Sequence, residues 1–201
     1  MFYSIVRFFL NIIYLSFFRL TVIGLENIPE KGAVIIAGNH VSLLDPPTLG
    51  VACRKRPVCF MAKSELFANP LFAFIIKNLG AFPVKRGMSD RSAVKNALTI
   101  LSEGRVLGMF PEGTRSQNGL LGRAGPGIFT LAGRAGVPVV PAALLGTGKI
   151  GLKTPFPKLK VVFGRPLFFP DKAADKSVLQ ERADRLMQEI QFLLTMHQNS
   201  G

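Results

Sequence analysis

The chain has 201 residues, enough for one domain with a sizeable core, and 48% of them are hydrophobic. Its formal net charge is +13 and its pI is near 10.4, which places phosphate groups at its working surface and leaves nucleic acid and anionic membrane as partner classes. A mean hydropathy of +0.32 with 17 Phe argues against a polar, lysine-rich nucleic-acid module and for membrane contact.

The opening stretch "MFYSIVRFFLNIIYLSFFRL" is apolar nearly all round, interrupted by Arg7, Asn11, Ser16 and Arg19. Without a basic start and a small-residue cleavage site, it does not read as a secretory signal peptide. It is short for a bilayer span, and Arg7 in its midst is costly at the membrane centre. Three readings stand: a helix lying in the membrane interface with its arginines at the headgroups, a buried core helix, and a span. The first is favoured, giving a membrane-associated helix over residues 1–20 and a second unit over 21–201.

After a turn marked by Pro29 and Gly32, "AVIIAG" is the apolar, β-branched run of a strand buried on both faces. Similar runs follow at "VCFMA", "AFPV", "VLGMF", "VPVVPAALL" and "LKVVFG", separated by the helical stretches "PPTLGVACR", "NPLFAFIIKNLG", "DRSAVKNALTILSEG" and "GIFTLAGRAG". Glycines at several helix ends are normal stop signals. Strand alternating with helix predicts an α/β layered domain with a mostly parallel central sheet flanked by helices. The final stretch predicts a helix that packs Leu179, Ala183, Leu186, Ile190 and Leu193 against the core.

Four stretches carry candidate chemistry. In "GNHVSLLDPP", His40 and Asp45 are five apart, about 140° apart on a helix and on opposite faces of a strand, so they meet only across a bend. Pro46 and Pro47 supply one, since the first biases Asp45 out of the helical region and both suit a first helical turn. Two readings are open: a carboxylate-oriented imidazole acting as a general base, or a turn histidine beside a helix-capping Asp45. Ser42 is not in a G-x-S-x-G elbow, which argues against a serine nucleophile.

In "AFPVKRG", a short strand delivers Lys85 and Arg86 into a glycine turn, fitting either phosphate binding or a solvated charged turn. In "MFPEGTRS", a strand end runs into Glu112, Gly113 and Arg115, where backbone amides and a forked guanidinium suit an anion. Glu112 orients an arginine or a substrate hydroxyl, or is a plain turn residue. Lys63 follows another strand and adds a cation at the same sheet edge. "GVPVVPAALLG", with Val137, Pro138, Val139, Val140 and Pro141, lines a hydrophobic channel or is core.

From Gly113 to Pro170 there is no Asp or Glu, but eight Lys or Arg side chains, so that half carries a positive surface. Cys53 and Cys59 are the two cysteines, and with no second Cys or His pair at ligand spacing no metal site is expected. The same cysteine usage points to a reducing compartment.

Together, "NHVSLLD", "GAFPVKR", "FPEGTRS" and "VPVVP" resemble, in order and separation, the four motifs of the glycerolipid acyltransferases, the bacterial 1-acylglycerol-3-phosphate acyltransferases of the PlsC type in particular. The resemblance runs from about Gly24 to about Pro166. It implies that His40 deprotonates the free hydroxyl of a lysophosphatidic acid with Asp45 orienting it, and that the oxygen attacks a thioester directly, without an acyl-enzyme. It further implies that Arg86 and Arg115 bind phosphate, that Glu112 and Gly113 shape that site with Lys85 as an added cation, and that the "VPVVP" block serves the acyl donor. The implied co-substrate is acyl-CoA or acyl carrier protein, with no cofactor, and the implied location is the cytoplasmic face of the cell membrane. Glycerol 3-phosphate or a lyso-ornithine lipid are alternative acceptors, and a non-catalytic membrane-binding protein is the alternative of a different class.

Overall fold

The computed structural model describes residues 2–85, 90–151, 154–169 and 175–198. In chain order they form α1 (Phe2–Ser16), β1 (Thr21–Ile23), β2 (Val34–Gly38), α2 (Asp45–Ala52), β3 (Val58–Lys63), α3 (Pro70–Asn78), β4 (Phe82–Val84), α4 (Arg91–Ser102), β5 (Val106–Met109), α5 (Gly127–Ala135), β6 (Val139–Leu145), β7 (Lys160–Phe163) and α6 (Lys176–Gln198). All six strands expected from the apolar runs are present. The three-residue β1 is an addition, too short for its apolar pattern to stand out.

The strands make one seven-stranded sheet in the order β1-β7-β6-β2-β5-β3-β4. From β6 to β4 every pairing is parallel. β7 turns antiparallel against β6, and β1 pairs parallel with β7. The five parallel strands therefore deliver their carboxyl ends (Gly38, Lys63, Val84, Met109 and Leu145) to one edge of the sheet. That edge is where open α/β sheets bind ligands.

Central β2 is buried along its whole length, as its Val-Ile-Ile run requires for a strand covered on both faces. On one face, Leu49 and Val51 of α2 pack with Tyr14, Phe18 and Leu20 against Val34, Ile36, Val140 and Val161. On the other, Ala97 and Ile100 of α4, Ile128 and Leu131 of α5, and Leu186 and Ile190 of α6 pack against Ile35, Leu107 and Val139. Of the five core positions expected on α6, Ala183, Leu186 and Ile190 are fully buried, and Leu179 and Leu193 are half-buried.

The first helix buries one side and leaves large apolar side chains exposed on the other. Tyr14 is buried at its base and Leu10 half-buried, while Phe8, Phe9, Ile12 and Leu15 face solvent, with Phe17 exposed just beyond its end. Its 15 residues span about 22 Å, short of the roughly 30 Å hydrocarbon core, and none of the described helices is long and apolar enough to cross a membrane.

Candidate active site

β2 ends at Gly38, and the chain bends through residues 39–44 before α2 begins at Asp45 with Pro46 and Pro47 in its first turn. The proline nitrogens have no N–H, so this helix start leaves fewer orphan donors. The bend brings His40 Nδ1 to 2.8 Å from Asp45 Oδ2. The same carboxylate oxygen accepts the backbone N–H groups of Val41 and Ser42, each at 2.7 Å. Asp45 thus staples the turn ahead of its helix to the imidazole.

A carboxylate can only accept here, so Nδ1 carries the proton in the neutral ring and Nε2 presents its lone pair. The two side chains are buried, His40 at 6% and Asp45 at 0% exposure, which strengthens the contact and fixes the ring. Ser42 Oγ is engaged as acceptor of the Leu44 N–H at 3.2 Å. Asn39 anchors the front of the bend: its amide donates to Leu144 O and its oxygen accepts from Leu144 N, at 3.1 and 2.7 Å.

The loop after β5 is clamped onto this bend. Glu112 Oε1 accepts the His40 N–H at 2.9 Å and its Oε2 accepts the Gly122 N–H at 2.8 Å. The Ser116 N–H donates to His40 O at 2.8 Å. His40 is therefore gripped through both backbone groups by the two ends of "EGTRS". Glu112 works as a backbone clasp, and among the described residues it forms no ion pair with an arginine.

Arg115 is the residue before Ser116 and is exposed, so the same clamp holds its backbone one residue from the bond to His40. Gly113, at φ 72°, takes the left-handed conformation that turns this loop. Lys63 ends β3 and Lys85 directly follows β4 at the same edge, both exposed. Lys63 is ion-paired with Glu65 at 2.9 Å, and the Lys85 N–H donates to Asp90 Oδ2 at 2.9 Å. The Asp90 carboxyl, which also accepts from the Ser92 hydroxyl and the Ala93 N–H, is held well below the usual carboxylate range. Arg86 lies outside the described residues.

An aromatic support that the spacing argument overlooked fixes the imidazole plane. Phe110 stacks on the His40 ring at 4.2 Å and 20°, and Phe60 backs Phe110 at 6.2 Å and 11°. The visible signal was Phe110 itself, immediately ahead of the Pro-Glu-Gly turn.

From Phe110, Pro111 and Gly113 a groove of about 1100 Å³ runs between α4 and α5 over Met61, Met109 and Leu131. Val137, Pro138, Val139, Val140 and Pro141 do not line it. Val139 to Pro141 lie buried within β6, paired with β2, and Val137 and Pro138 lead into that strand half-buried.

The acyltransferase family model matches residues 19–145, a span that holds the His40–Asp45 bend and the clamped loop. The chain is 35% identical over 172 residues to a 1-acyl-sn-glycerol-3-phosphate acyltransferase of Bacillus subtilis, covering 84% of each chain. It is 38% identical over 138 residues to a chloroplastic 1-acyl-sn-glycerol-3-phosphate acyltransferase of Arabidopsis thaliana, where the match covers 67% of this chain and 38% of that one. The crystal structure of the 1-acyl-sn-glycerophosphate acyltransferase PlsC from Thermotoga maritima superposes with a TM-score of 0.70 at 26% identity, covering 94% of this chain and 81% of that one. The matched span takes in the bend, the clamped loop and the parallel strands that present them, and the chain belongs to the acyltransferase family.

Proposed function

We propose that the chain is a 1-acyl-sn-glycerol-3-phosphate O-acyltransferase that makes phosphatidic acid. What carries the reading is the buried His40 Nδ1–Asp45 Oδ2 contact, locked by its own backbone to the loop that holds Arg115. An oriented general base clamped to a loop that carries an exposed arginine suits an acceptor that carries a hydroxyl and a phosphate. The relatives' names supply the same acceptor class.

In the reaction, His40 Nε2 takes the proton of the acceptor hydroxyl as its oxygen attacks the thioester carbonyl carbon. The C–O bond forms, the C–S bond breaks, and the imidazolium returns its proton to the departing thiolate. Asp45 stabilises the imidazolium without itself being protonated. Arg115, with Arg86 and Lys85, binds the acceptor phosphate, Gly113 lets the loop approach it, and Lys63 adds positive potential at the same edge. The groove beside Phe110 offers an apolar wall to a fatty chain.

The donor is acyl-CoA or acyl carrier protein, and the acid-free span from Gly113 to Pro170 favours an anionic partner on that side. The protein works at the cytoplasmic face of the cell membrane. The exposed apolar side of α1 lies in the interface of an anionic bilayer.

The test supplies purified protein and its His40→Ala variant with lysophosphatidic acid, glycerol 3-phosphate or a lyso-ornithine lipid, and with each donor type, and identifies products by mass. Phosphatidic acid formed by the wild type and lost by several orders of magnitude in the variant is the expected result. Turnover retained in His40→Ala overturns the mechanism, and a different acylated product overturns the acceptor.

A further inference from the structure

Helix α3 wears its apolar side outward. Ala73 is its one buried residue, whereas Leu71 is 72% exposed, Phe72 45% and Phe74 56%, and Leu66 just upstream is exposed as well. A contiguous set of large apolar side chains in water marks an interaction surface.

We propose that α3 is a second bilayer-docking element, which inserts Leu66, Leu71 and Phe72 into the interface of an anionic membrane alongside α1. The proposal rests on the interfacial reading of α1 given above. Two observations select a lipid surface as the occupant.

The first is charge. From Lys63 to Lys85 there is one acid, Glu65, and it is ion-paired with Lys63. Lys77 lies over the Phe67 ring at 6.0 Å, and Lys85 is exposed. Apolar side chains between long cationic ones are the composition that enters an anionic interface, with the stems buried and the ammonium groups at the phosphates.

The second is position. α2 and α1 pack on one face of the sheet, and α4, which returns from β4 to β5, packs on the other. β2 to β3 to β4 moves in one direction across the sheet, so right-handed crossovers put α3 on the same face as α2. The outward apolar residues of α1 and those of α3 thus belong to one side of the molecule.

The consequence is orientational. A single interfacial helix leaves the protein free to roll about its axis, and two contacts on one body define a plane. α3 also bridges the two strands whose carboxyl ends carry Lys63 and Lys85, so seating it brings those cations to headgroup level. The second contact acts at high effective concentration once the first is made, and raises avidity with no new protein contact.

The chain has no tryptophan, so single reporters are clean. Full-length Leu71→Trp and Phe9→Trp are titrated with vesicles of phosphatidylcholine and phosphatidylglycerol, with and without brominated acyl chains. Phe72→Trp is the second α3 reporter should Leu71→Trp not fold. The expected result is a blue shift and bromine quenching for both helices, and vesicle affinity about 10-fold weaker in Leu71→Ser/Phe72→Ser at unchanged circular dichroism.

Quenching at Phe9→Trp alone overturns the role of α3 and leaves that of α1 standing. Quenching at Leu71→Trp alone overturns the interfacial reading of α1 and with it the paired docking of the two helices. Quenching at neither overturns both. A Leu71→Trp emission already blue-shifted without lipid, in a protein that sediments as a dimer, assigns the face to a second copy of this chain and overturns the proposal.

Discussion

Glu112 Oε1 accepts the backbone N–H of His40 at 2.9 Å, so an acid from one loop sets the position of the imidazole in another. Its second oxygen holds Gly122 at 2.8 Å, closing the loop that carries Arg115. Glu112→Ala leaves two backbone donors without acceptors, and a partly buried unsatisfied donor costs about 1–3 kcal/mol. The expected outcome is a lower urea midpoint together with a fall in kcat of about 10- to 100-fold, as a misplaced base produces. Glu112→Gln keeps one acceptor oxygen and falls between. A variant with wild-type kcat and reduced stability alone would show that the clasp has no part in placing His40.

Gly108 of β5 has a different claim on the same imidazole. A Cβ there would come within 2.3 Å of Phe60 Cε1 and 2.8 Å of Val58 Cγ1, and Phe60 backs the Phe110 ring that stacks on His40. Gly108→Ala therefore displaces the aromatic stack, with an overpacking cost of about 1–3 kcal/mol. Thermal denaturation reads the cost, and kcat reads the displacement. Pairing it with Phe60→Leu makes room for the methyl group and restores much of both. Failure of the pair to recover either quantity counts against the stack as the route.

Arg115 is placed by the Ser116 N–H to His40 O bond, it is exposed, and among the described residues it forms no ion pair. Its guanidinium is thus available for an anion. Arg115→Ala is expected to raise KM for the phosphorylated acceptor by about 10-fold or more while leaving KM for the donor near its wild-type value. Arg115→Lys restores charge without the planar fork and recovers part of the loss. Equal effects on both substrates would remove Arg115 from the acceptor site.

The parallel sheet was legible because its strands are short, continuous apolar runs between helices of clear period, and the His40–Asp45 bend was legible because Pro46 and Pro47 forbid a continuous helix or strand through it. The role of Glu112 was not. A carboxylate facing two backbone N–H groups leaves no mark in the sequence, since its partners, His40 and Gly122, offer groups that every non-proline residue has. Phe110 was hidden for a related reason: an aromatic at a strand end fits core as well as a ring stacked on histidine. The "VPVVP" block read equally as channel or core, and Val139, Val140 and Pro141 lie buried in β6. Which side of α1 is buried depends on Tyr14, and on Phe18 just beyond the helix, finding a face to pack against, which is decided by α2 and β7 far along the chain.

Tyr14 ties that first helix to the site. Its hydroxyl accepts from Thr48 Oγ1 at 3.3 Å, and the same Thr48 hydroxyl lies 2.6 Å from Leu44 O. Thr48 is three residues beyond Asp45 in α2, on the same side of the helix. Burial pushes the Tyr14 hydroxyl above the ordinary tyrosine range; the Thr48 hydrogen bond opposes that shift, and the nearby Asp45 charge adds to it. A group whose pKa is raised by folding contributes stability that is fully present below its unfolded value, about 10 for tyrosine, and is lost as pH rises toward the folded value. The stability difference between wild type and Tyr14→Phe should therefore shift in favour of the variant between about pH 8 and pH 11. Urea midpoints of the two proteins across that window check it, since every other titrating group is common to both. A difference that stays constant with pH would mean that Tyr14 ionises in the folded protein as it does in water, and that α1 is not seated on α2 through this hydroxyl.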